Sequence, residues 1–288
     1  MKNKLFAFIL ALCFIVPGSV IFMACDKDKD PKAPTTIYVG DIEALDDAID
    51  DIAVGGTIIL NDNIVTDEVI EVDKNLTIDM NGKTISNTVN ISGVDDVEDW
   101  SLISVREGAE LTLKGNGTLR AKLNDCFALD VQENSKVIIE DGTFIGNRKS
   151  LYVHKGEAVI NGGTYSVQQV DALSYSVVID ANDDNFIADT ANITINGGKF
   201  IEYDPANNAS QGYFVAEDKV VVSKNNSGTK THTVTTLDSA LSTIGAIEIK
   251  SAVGERFVET ELDLKEAVAN INVTGVKLLE DIEIESPI

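Results

Sequence analysis

The chain of 288 residues is poor in positive charge, cysteine, histidine and tryptophan. Only 23 lysines and arginines face 47 aspartates and glutamates, and because the net charge of -24 repels a phosphate backbone, we expect no nucleic-acid partner. Three cysteines are too few for a disulfide framework or a cysteine-based zinc site. With 44% apolar residues, the composition is nevertheless that of a folded domain with a sizeable core.

Residues 1–24 are predicted to be a lipoprotein signal peptide. A lysine-containing start precedes an apolar run over residues 5–16, which is too short to span a bilayer. The segment Phe22-Met23-Ala24-Cys25 resembles a bacterial lipobox, in which the cysteine becomes the lipid-bearing first residue, although Phe22 stands where Leu is usual. We therefore predict lipidation at Cys25. A signal peptide that happens to contain cysteine and an uncleaved anchor helix are the alternatives.

Residues 25–35 are predicted to be the lipidated cysteine and a charged tether. The acidic cluster from Asp26 to Asp30 resembles the surface-export signal of Bacteroidota lipoproteins. We expect the protein to be in the cell envelope, on the outer-membrane surface, with the membrane as a partner through the lipid anchor. In other Gram-negative bacteria, Asp26 would instead favour retention at the inner membrane.

The first element after the tether is a predicted amphipathic helix over residues 42–52. Its apolar residues fall at helical spacing, and Gly55 and Gly56 follow its end. Short alternating runs typical of strands come next, separated by Asn, Asp and Gly. Five of these separators share one pattern, in which a glycine is followed two or three positions later by an aromatic or aliphatic residue. The glycines at this shared position are Gly82, Gly117, Gly142, Gly163 and Gly198.

These glycines follow one another after 35, 25, 21 and 35 residues, which fits a coil of 21 to 25 residues with insertions of about ten. Leucine-rich repeats share this period, but their ladder of Leu and Asn is missing. In a β-solenoid, by contrast, each coil contributes two or three short strands, and equivalent positions stack at about 4.8 Å. We therefore predict that the glycines are solenoid corners and do not bind phosphate.

Residues 56–60, 69–85 and 193–200 carry a resemblance to the right-handed parallel β-helix proteins of the pectate-lyase-like superfamily. Within it, the chain is most similar to uncharacterised surface lipoproteins of gut bacteria whose rungs read Ile-x-Gly-Gly-Thr-Phe. The resemblance implies an all-β fold, with a β-helix domain over residues 36–235 and the opening helix as its N-terminal cap.

The last part of the chain, residues 236–288, is predicted to be a linking segment and the start of a second β-helix unit. A hairpin over residues 219–235 is expected to close the first unit. The order of apolar residues and glycine over 267–282 repeats that over 48–62. We expect this second unit to be incomplete, so that its edge is completed by strand pairing or by continuation.

Catalytic residues are not assigned. The resemblance implies an arginine or lysine base with calcium-binding carboxylates, or clustered aspartates with a histidine. The chain has only two histidines, His154 and His232, and the surroundings of His154 do not match the hydrolase motif. Four arginines are available, and a lyase would need Arg106, Arg120 or Arg148 within about 5 Å of an acidic cluster.

Two acidic segments in the predicted insertions are candidate Ca²⁺ sites, because carboxylate oxygens are the ligands that this ion takes. Their residues are Asp95, Asp96, Asp99, Asp180, Asp183 and Asp184. Trp100 is a candidate sugar-stacking residue. The aromatic residues at 144, 165 and 200 share one repeat position and form either an internal stack or a carbohydrate-binding strip.

From these features we expect a non-catalytic, adhesin-like surface module that binds or displays, with glycans as partners and Ca²⁺ as the one candidate cofactor. The alternative is a polysaccharide lyase or glycoside hydrolase of the pectate-lyase-like superfamily. A third reading is a fragment without independent function.

Overall fold

The computed structural model describes residues 33–88, 101–122, 126–169, 177–207 and 214–243, together with three later strands. All of them belong to one compact unit, Ala33–Ile288. The predicted signal peptide and Cys25 lie outside the described residues. The predicted domain boundaries stay predictions.

The strands form three sheets. Sheet 1 consists of β1 (Thr36–Val39), β2 (Gly56–Leu60), β5 (Leu76–Asp79), β8 (Glu110–Lys114), β11 (Ser135–Ile139), β14 (Gly156–Ile160) and β17 (Asn192–Ile195). Sheet 2 consists of β3 (Ile64–Thr66), β6 (Thr84–Asn87), β9 (Thr118–Arg120), β12 (Thr143–Gly146), β15 (Thr164–Val167), β18 (Gly198–Ile201), β19 (Val220–Asn226), β20 (Thr229–Thr235), β21 (Glu248–Ser251), β22 (Glu255–Val258) and β23 (Gly275–Leu278). Sheet 3 consists of β4 (Ile70–Val72), β7 (Ser101–Val105), β10 (Phe127–Val131), β13 (Leu151–Val153) and β16 (Ile179–Ala181).

From β2 to β16 the chain visits sheets 1, 2 and 3 in turn, so three strands make one coil. Each strand pairs in parallel with the equivalent strand of the next coil. In sheet 1, successive register partners are 20, 35, 26, 21 and 35 residues apart, as in Gly56↔Leu76, Leu76↔Leu111, Leu111↔Val137, Val137↔Ala158 and Ala158↔Ile193. The predicted all-β, solenoid-like arrangement of parallel strands is confirmed.

The interior is filled by the alternate, inward-facing residues of the strands. In sheet 2, Phe144, Tyr165 and Phe200 are fully buried and occupy one position of three successive coils. Their rings stack at centroid distances of 5.1 and 5.0 Å, with interplanar angles of 9° and 12°. The buried Tyr165 hydroxyl donates a hydrogen bond to the Gly162 carbonyl over 2.8 Å. The predicted internal stack is therefore confirmed, and the alternative of a carbohydrate-binding strip is wrong.

Glycine serves the corners between sheets 1 and 2 in two different ways. Gly163 has a φ of +95°, which an L side chain rarely adopts. At Gly117 the constraint is space, because a Cβ there would lie 2.3 Å from the Cβ of Met80 and 2.5 Å from the Lys83 carbonyl oxygen. The predicted role of these glycines as corners is thus observed at both positions, with a different physical reason at each.

Helix α1 (Ile42–Asp51) forms where the helical spacing predicts it. The Asp41 side chain accepts a 2.9 Å hydrogen bond from the Ala44 amide and so caps the first turn. Leu45, Ala48 and Ile49 are buried against the first strands. The helix connects β1 to β2, which pair in parallel. Its role as a cap of the solenoid stays a prediction.

The parallel order ends after β18. Strands β20 and β19 form the predicted hairpin, whose turn has positive φ at Ser227 and Gly228, and β20 pairs antiparallel with β18. Helix α3 (Leu237–Leu241) adds a small second core, in which Ala240 packs with Val220 and Val222. Beyond it, β21 pairs antiparallel with β19 and β22, whereas β22 and β23 pair in parallel.

The aromatic stack gives a direct test of the packing. Phe144→Ala should lower the free energy of unfolding by about 3 to 5 kcal/mol, because it opens a cavity between Leu119 and Tyr165. The matched control is Ile145→Ala on the half-exposed outer side of the same strand, which should cost less than about 1.5 kcal/mol. Urea denaturation measures both values, and equal losses would contradict the inward position of Phe144.

Candidate functional site

A polar groove follows the turns that connect sheet 3 to sheet 1. It consists of two adjoining open pockets of about 550 and 630 Å³, which share Gly108, Asn134 and Lys155. Because the turns of successive coils stack, the groove crosses several coils and does not lie within one. Its lining is rich in amide and charged side chains, among them Glu110, Gln132, His154, Glu157 and Asn192.

Tight turns keep the groove open. Glu107, Gly108 and Asn134 all have φ between +58° and +79°, so the chain reverses within a few residues before entering β8 or β11. Ser135 Oγ accepts a 3.1 Å hydrogen bond from the Gly108 amide of the preceding coil. This contact holds neighbouring turns in step, so that the side chains of both face the same groove.

Most charges along the groove are paired. Lys136 Nζ lies 3.1 Å from Glu157 Oε1, and Lys155 contacts Glu133 in an ion pair. The hydrogen bond from Lys155 holds the pKa of the Glu133 carboxyl below its usual range. At the far side, Arg106 Nη1 lies 2.6 Å from Glu71 Oε1. Glu107, Glu110 and Asp189 also line the groove and form no ion pair with a described residue, so acids exceed bases along it.

Beneath the groove lies a buried carboxylate that the sequence analysis missed. Asp130 on β10 accepts hydrogen bonds from Ser101 Oγ and Ser104 Oγ, both over 2.7 Å, and from Gln132 Nε2 over 3.2 Å. Burial raises the pKa of Asp130 to about 6, although these hydrogen bonds and the charge of Arg106 act in the opposite direction. A single acid in the otherwise apolar strand Phe127–Val131 was the only sequence signal.

Arg106 links this buried acid to the groove. Its Nη2 atom donates to Ser104 Oγ over 3.0 Å, and the same hydroxyl donates to Asp130 Oδ1. Arg106 and Gln132 both line the larger pocket, so Glu71, Arg106, Ser104 and Asp130 form a continuous polar row from the surface to the interior. Arg106 therefore contacts one carboxylate directly, that of Glu71, and reaches a second, that of Asp130, through Ser104.

Of the other candidate residues, His154 lines the groove, whereas Arg120 and Arg148 do not. Arg120 is exposed on sheet 2, where its Nη2 is 3.5 Å from Gln168 Oε1, and Arg148 lies in the turn after β12. His154 follows β13 and lines the groove, where its carbonyl accepts a 2.7 Å hydrogen bond from Asn185 Nδ2. The His154 side chain is half-buried, and the residue lies in a turn.

The prediction that the acidic residues at 180–184 lie together in an insertion is partly wrong. Asp180 lies within strand β16 and forms an ion pair with Lys149, whose Nζ is 5.8 and 5.5 Å from the ring centroids of Phe127 and Tyr152. Asp183 and Asp184 instead open the short helix α2 (Asp183–Ile187). A β-strand with a register partner at Tyr152 accounts for the position of Asp180.

In the described ranges, no group of three or more His, Cys, Asp or Glu side chains is placed to hold a metal ion. The candidate residues Asp95, Asp96, Asp99 and Trp100 lie outside these ranges, and calcium binding stays a prediction. The described part of the chain also contains no helix of sufficient length and apolarity to cross a membrane. Comparison with known proteins gives no match to a protein-family model, a curated protein or a solved structure.

Asp130 should make stability depend on pH. Its pKa is raised from 3.8 to about 6 in the folded state, so its contribution to stability is complete below about pH 4 and disappears as the pH rises through about 6. Asp130→Asn should remove this pH-dependent contribution to the free energy of unfolding, which amounts to roughly 3 kcal/mol between pH 4 and pH 7. Denaturant unfolding at several pH values measures the difference.

The control for this experiment is Glu110→Gln, which removes an exposed acid from the same groove. It should keep the pH dependence of the wild type. Parallel stability curves for the wild type and Asp130→Asn would contradict the proposed titration of the buried carboxyl.

Proposed function

We propose that the protein is a non-catalytic, adhesin-like cell-surface module that binds glycans in the groove between sheets 3 and 1. The observation that carries this proposal is the continuous polar groove across successive coils. An extended polymer fits a surface of this form better than a compact metabolite, because the groove is open along its length and has no deep enclosed end.

The chemistry of the groove supports a sugar ligand. Hydroxyl groups both donate and accept, and the amides of Gln132, Asn134 and Asn192 do the same from neighbouring turns. The ion pairs Lys136–Glu157 and Lys155–Glu133 present charged donors and acceptors whose net charge is balanced. Because Glu107, Glu110 and Asp189 add unpaired acids, the groove would repel a polyanion, and we assign an uncharged glycan to it.

The parallel sheets are also compatible with a more specific fold. We propose a right-handed β-helix of the pectate-lyase-like superfamily, similar to surface lipoproteins of gut bacteria, because parallel crossover connections are right-handed in nearly all proteins. Helix α1 would then cap the first coil. A second unit would begin at β22 and β23, whose register partners Glu255↔Gly275 are 20 residues apart, close to the 21 between Thr36 and Thr57.

The location proposal rests on the N-terminal sequence. Lipid on Cys25 would anchor the protein, and residues 26–35 would serve as a polar spacer to a domain on the outer-membrane surface. Mass spectrometry of the mature N-terminus tests the acylation directly. Accessibility of the domain to external protease in intact cells tests the outward orientation.

A polysaccharide lyase or glycoside hydrolase is the second candidate. It is favoured by one observation, the row of Glu71, Arg106, Ser104 and Asp130 at the edge of the groove. An enzyme needs a base that can approach the substrate, whereas the Arg106 guanidinium is already held by Glu71 and Ser104 and Asp130 is buried. The binding module is therefore the better supported function.

A glycan array probed with the full-length chain, with and without Ca²⁺, tests the proposal. We expect binding of uncharged glycans without cleavage, and an affinity at least fivefold lower for the double variant Glu157→Gln with Asn192→Ala, because both side chains line the groove. The matched control, Glu43→Gln with Asn61→Ala, changes the same residue types at exposed positions outside it. Calcium dependence would favour the predicted acidic site.

Product analysis accompanies every array hit. If shortened or unsaturated oligosaccharides form, and their formation requires Arg106, the protein is an enzyme and the proposal of a non-catalytic binding module is wrong. Absence of binding, or equal weakening by the groove variant and its control, would contradict a glycan site in the groove.

A further inference from the structure

The outer side of sheet 2 has a chemistry that differs from the rest of the protein. Thr84, Thr118, Thr143 and Thr164 are half-buried register partners of four successive coils, and Lys199 continues their column. A second outward column contains Val65, Ser86, Arg120, Ile145, Ser166 and Ile201. We call the outward residues of β3, β6, β9, β12, β15 and β18 the threonine face.

The threonine face contains no acid. None of its six strands includes an aspartate or glutamate, although the chain has 47 of them. Sheets 1 and 3 do place carboxylates within their strands, including Asp79, Glu110, Glu157, Glu71 and Asp180. On a chain with a net charge of -24, these six strands are therefore the one set of stacked coil strands that contains no acid to repel an anion.

Its cations are also unpaired. Arg120 and Lys199 are exposed, and neither forms an ion pair with any described residue. Six cations on other surfaces do form ion pairs, in the contacts Lys114–Asp79, Lys136–Glu157, Lys149–Asp180, Lys155–Glu133, Lys219–Asp218 and Arg106–Glu71. Lys74, Lys83, Lys224 and Lys230 resemble Arg120 and Lys199 in forming no ion pair with a described residue, but they do not lie within the six acid-free strands. With acids in excess, the lack of a partner at Arg120 and Lys199 marks positions at which an external anion can bind.

We propose that the threonine face binds a glycan chain that carries sulfate or carboxylate groups, as a second surface beyond the groove. Arg120 and Lys199 would contact the anionic groups, and the threonine hydroxyls between them would bond to the sugar. At physiological salt the Debye length is about 8 Å, so the carboxylates on the other sheets are largely screened from a ligand bound here.

The shape of the face favours a chain over a membrane. One column of side chains crosses five strands and the other six, and with about 4.8 Å per strand the face is long and narrow. Its apolar members, Val65, Ile145 and Ile201, are isolated among hydroxyls and form no inserting patch. A row of hydroxyls at a constant repeat suits a polymer that is itself repetitive.

Binding of dextran sulfate by the full-length chain, compared with uncharged dextran at 0.15 M salt, tests this inference. Dextran sulfate should bind more tightly, and Arg120→Ala with Lys199→Ala should weaken it at least fivefold. The matched control, Lys114→Ala with Lys219→Ala, removes two cations that are paired on other surfaces and should change the affinity less than twofold. Raising the salt to 0.5 M should weaken wild-type binding more than that of the Arg120 and Lys199 variant.

Four results would overturn the inference. An equal loss of affinity in both double variants would show that only the overall charge of the protein matters. Absence of dextran sulfate binding would show that the face does not bind an anionic glycan. Tighter binding to phosphatidylglycerol vesicles, or self-association, with the same dependence on Arg120 and Lys199 would assign the face to a lipid surface or to a second copy. The groove assay uses uncharged glycans and other variants, so the failure of one proposal is distinguishable from the failure of the other.

Discussion

In-register parallel pairing between coils is the constraint on which the rest of the structure depends. Each strand gives its backbone hydrogen bonds to the coils before and after it, so residues 20 to 35 positions apart are held side by side. The alternation of strand residues then fixes which side chains enter the core. A shift of one residue would exchange Phe144 with Thr143 and would disrupt the aromatic stack and the threonine face together.

The same constraint decides where the chain can vary and where ligands can bind. Three residues separate β3 from β4, but thirteen separate β6 from β7, and yet both β3 with β6 and β4 with β7 are register partners. Length is therefore absorbed in the turns, while the sheets remain regular. The proposed groove and the threonine face both depend on this regularity, since each one combines side chains from several coils into a continuous surface.

Much of the fold could be predicted from sequence because it repeats. The glycine spacing gave the coil length, and the shared position of Phe144, Tyr165 and Phe200 indicated a stack, although only the structure shows that it faces inward. Asp130 could not be predicted as a site, because its partners come from two coils and its burial depends on tertiary packing. Asp180 was misplaced for a related reason: its strand is only three residues long and is defined by pairing with β13.

Distances between spin labels test the in-register stacking most directly. Thr84 and Thr164 are three coils apart in one column, and Thr84 and Lys199 are four coils apart, although their sequence separations are 80 and 115 residues. With about 4.8 Å per coil, the two backbone separations should be about 14 and 19 Å and should differ by a single coil step. Narrow distance distributions that differ by about 5 Å would support the account, whereas broad distributions or a difference that follows sequence separation would contradict it.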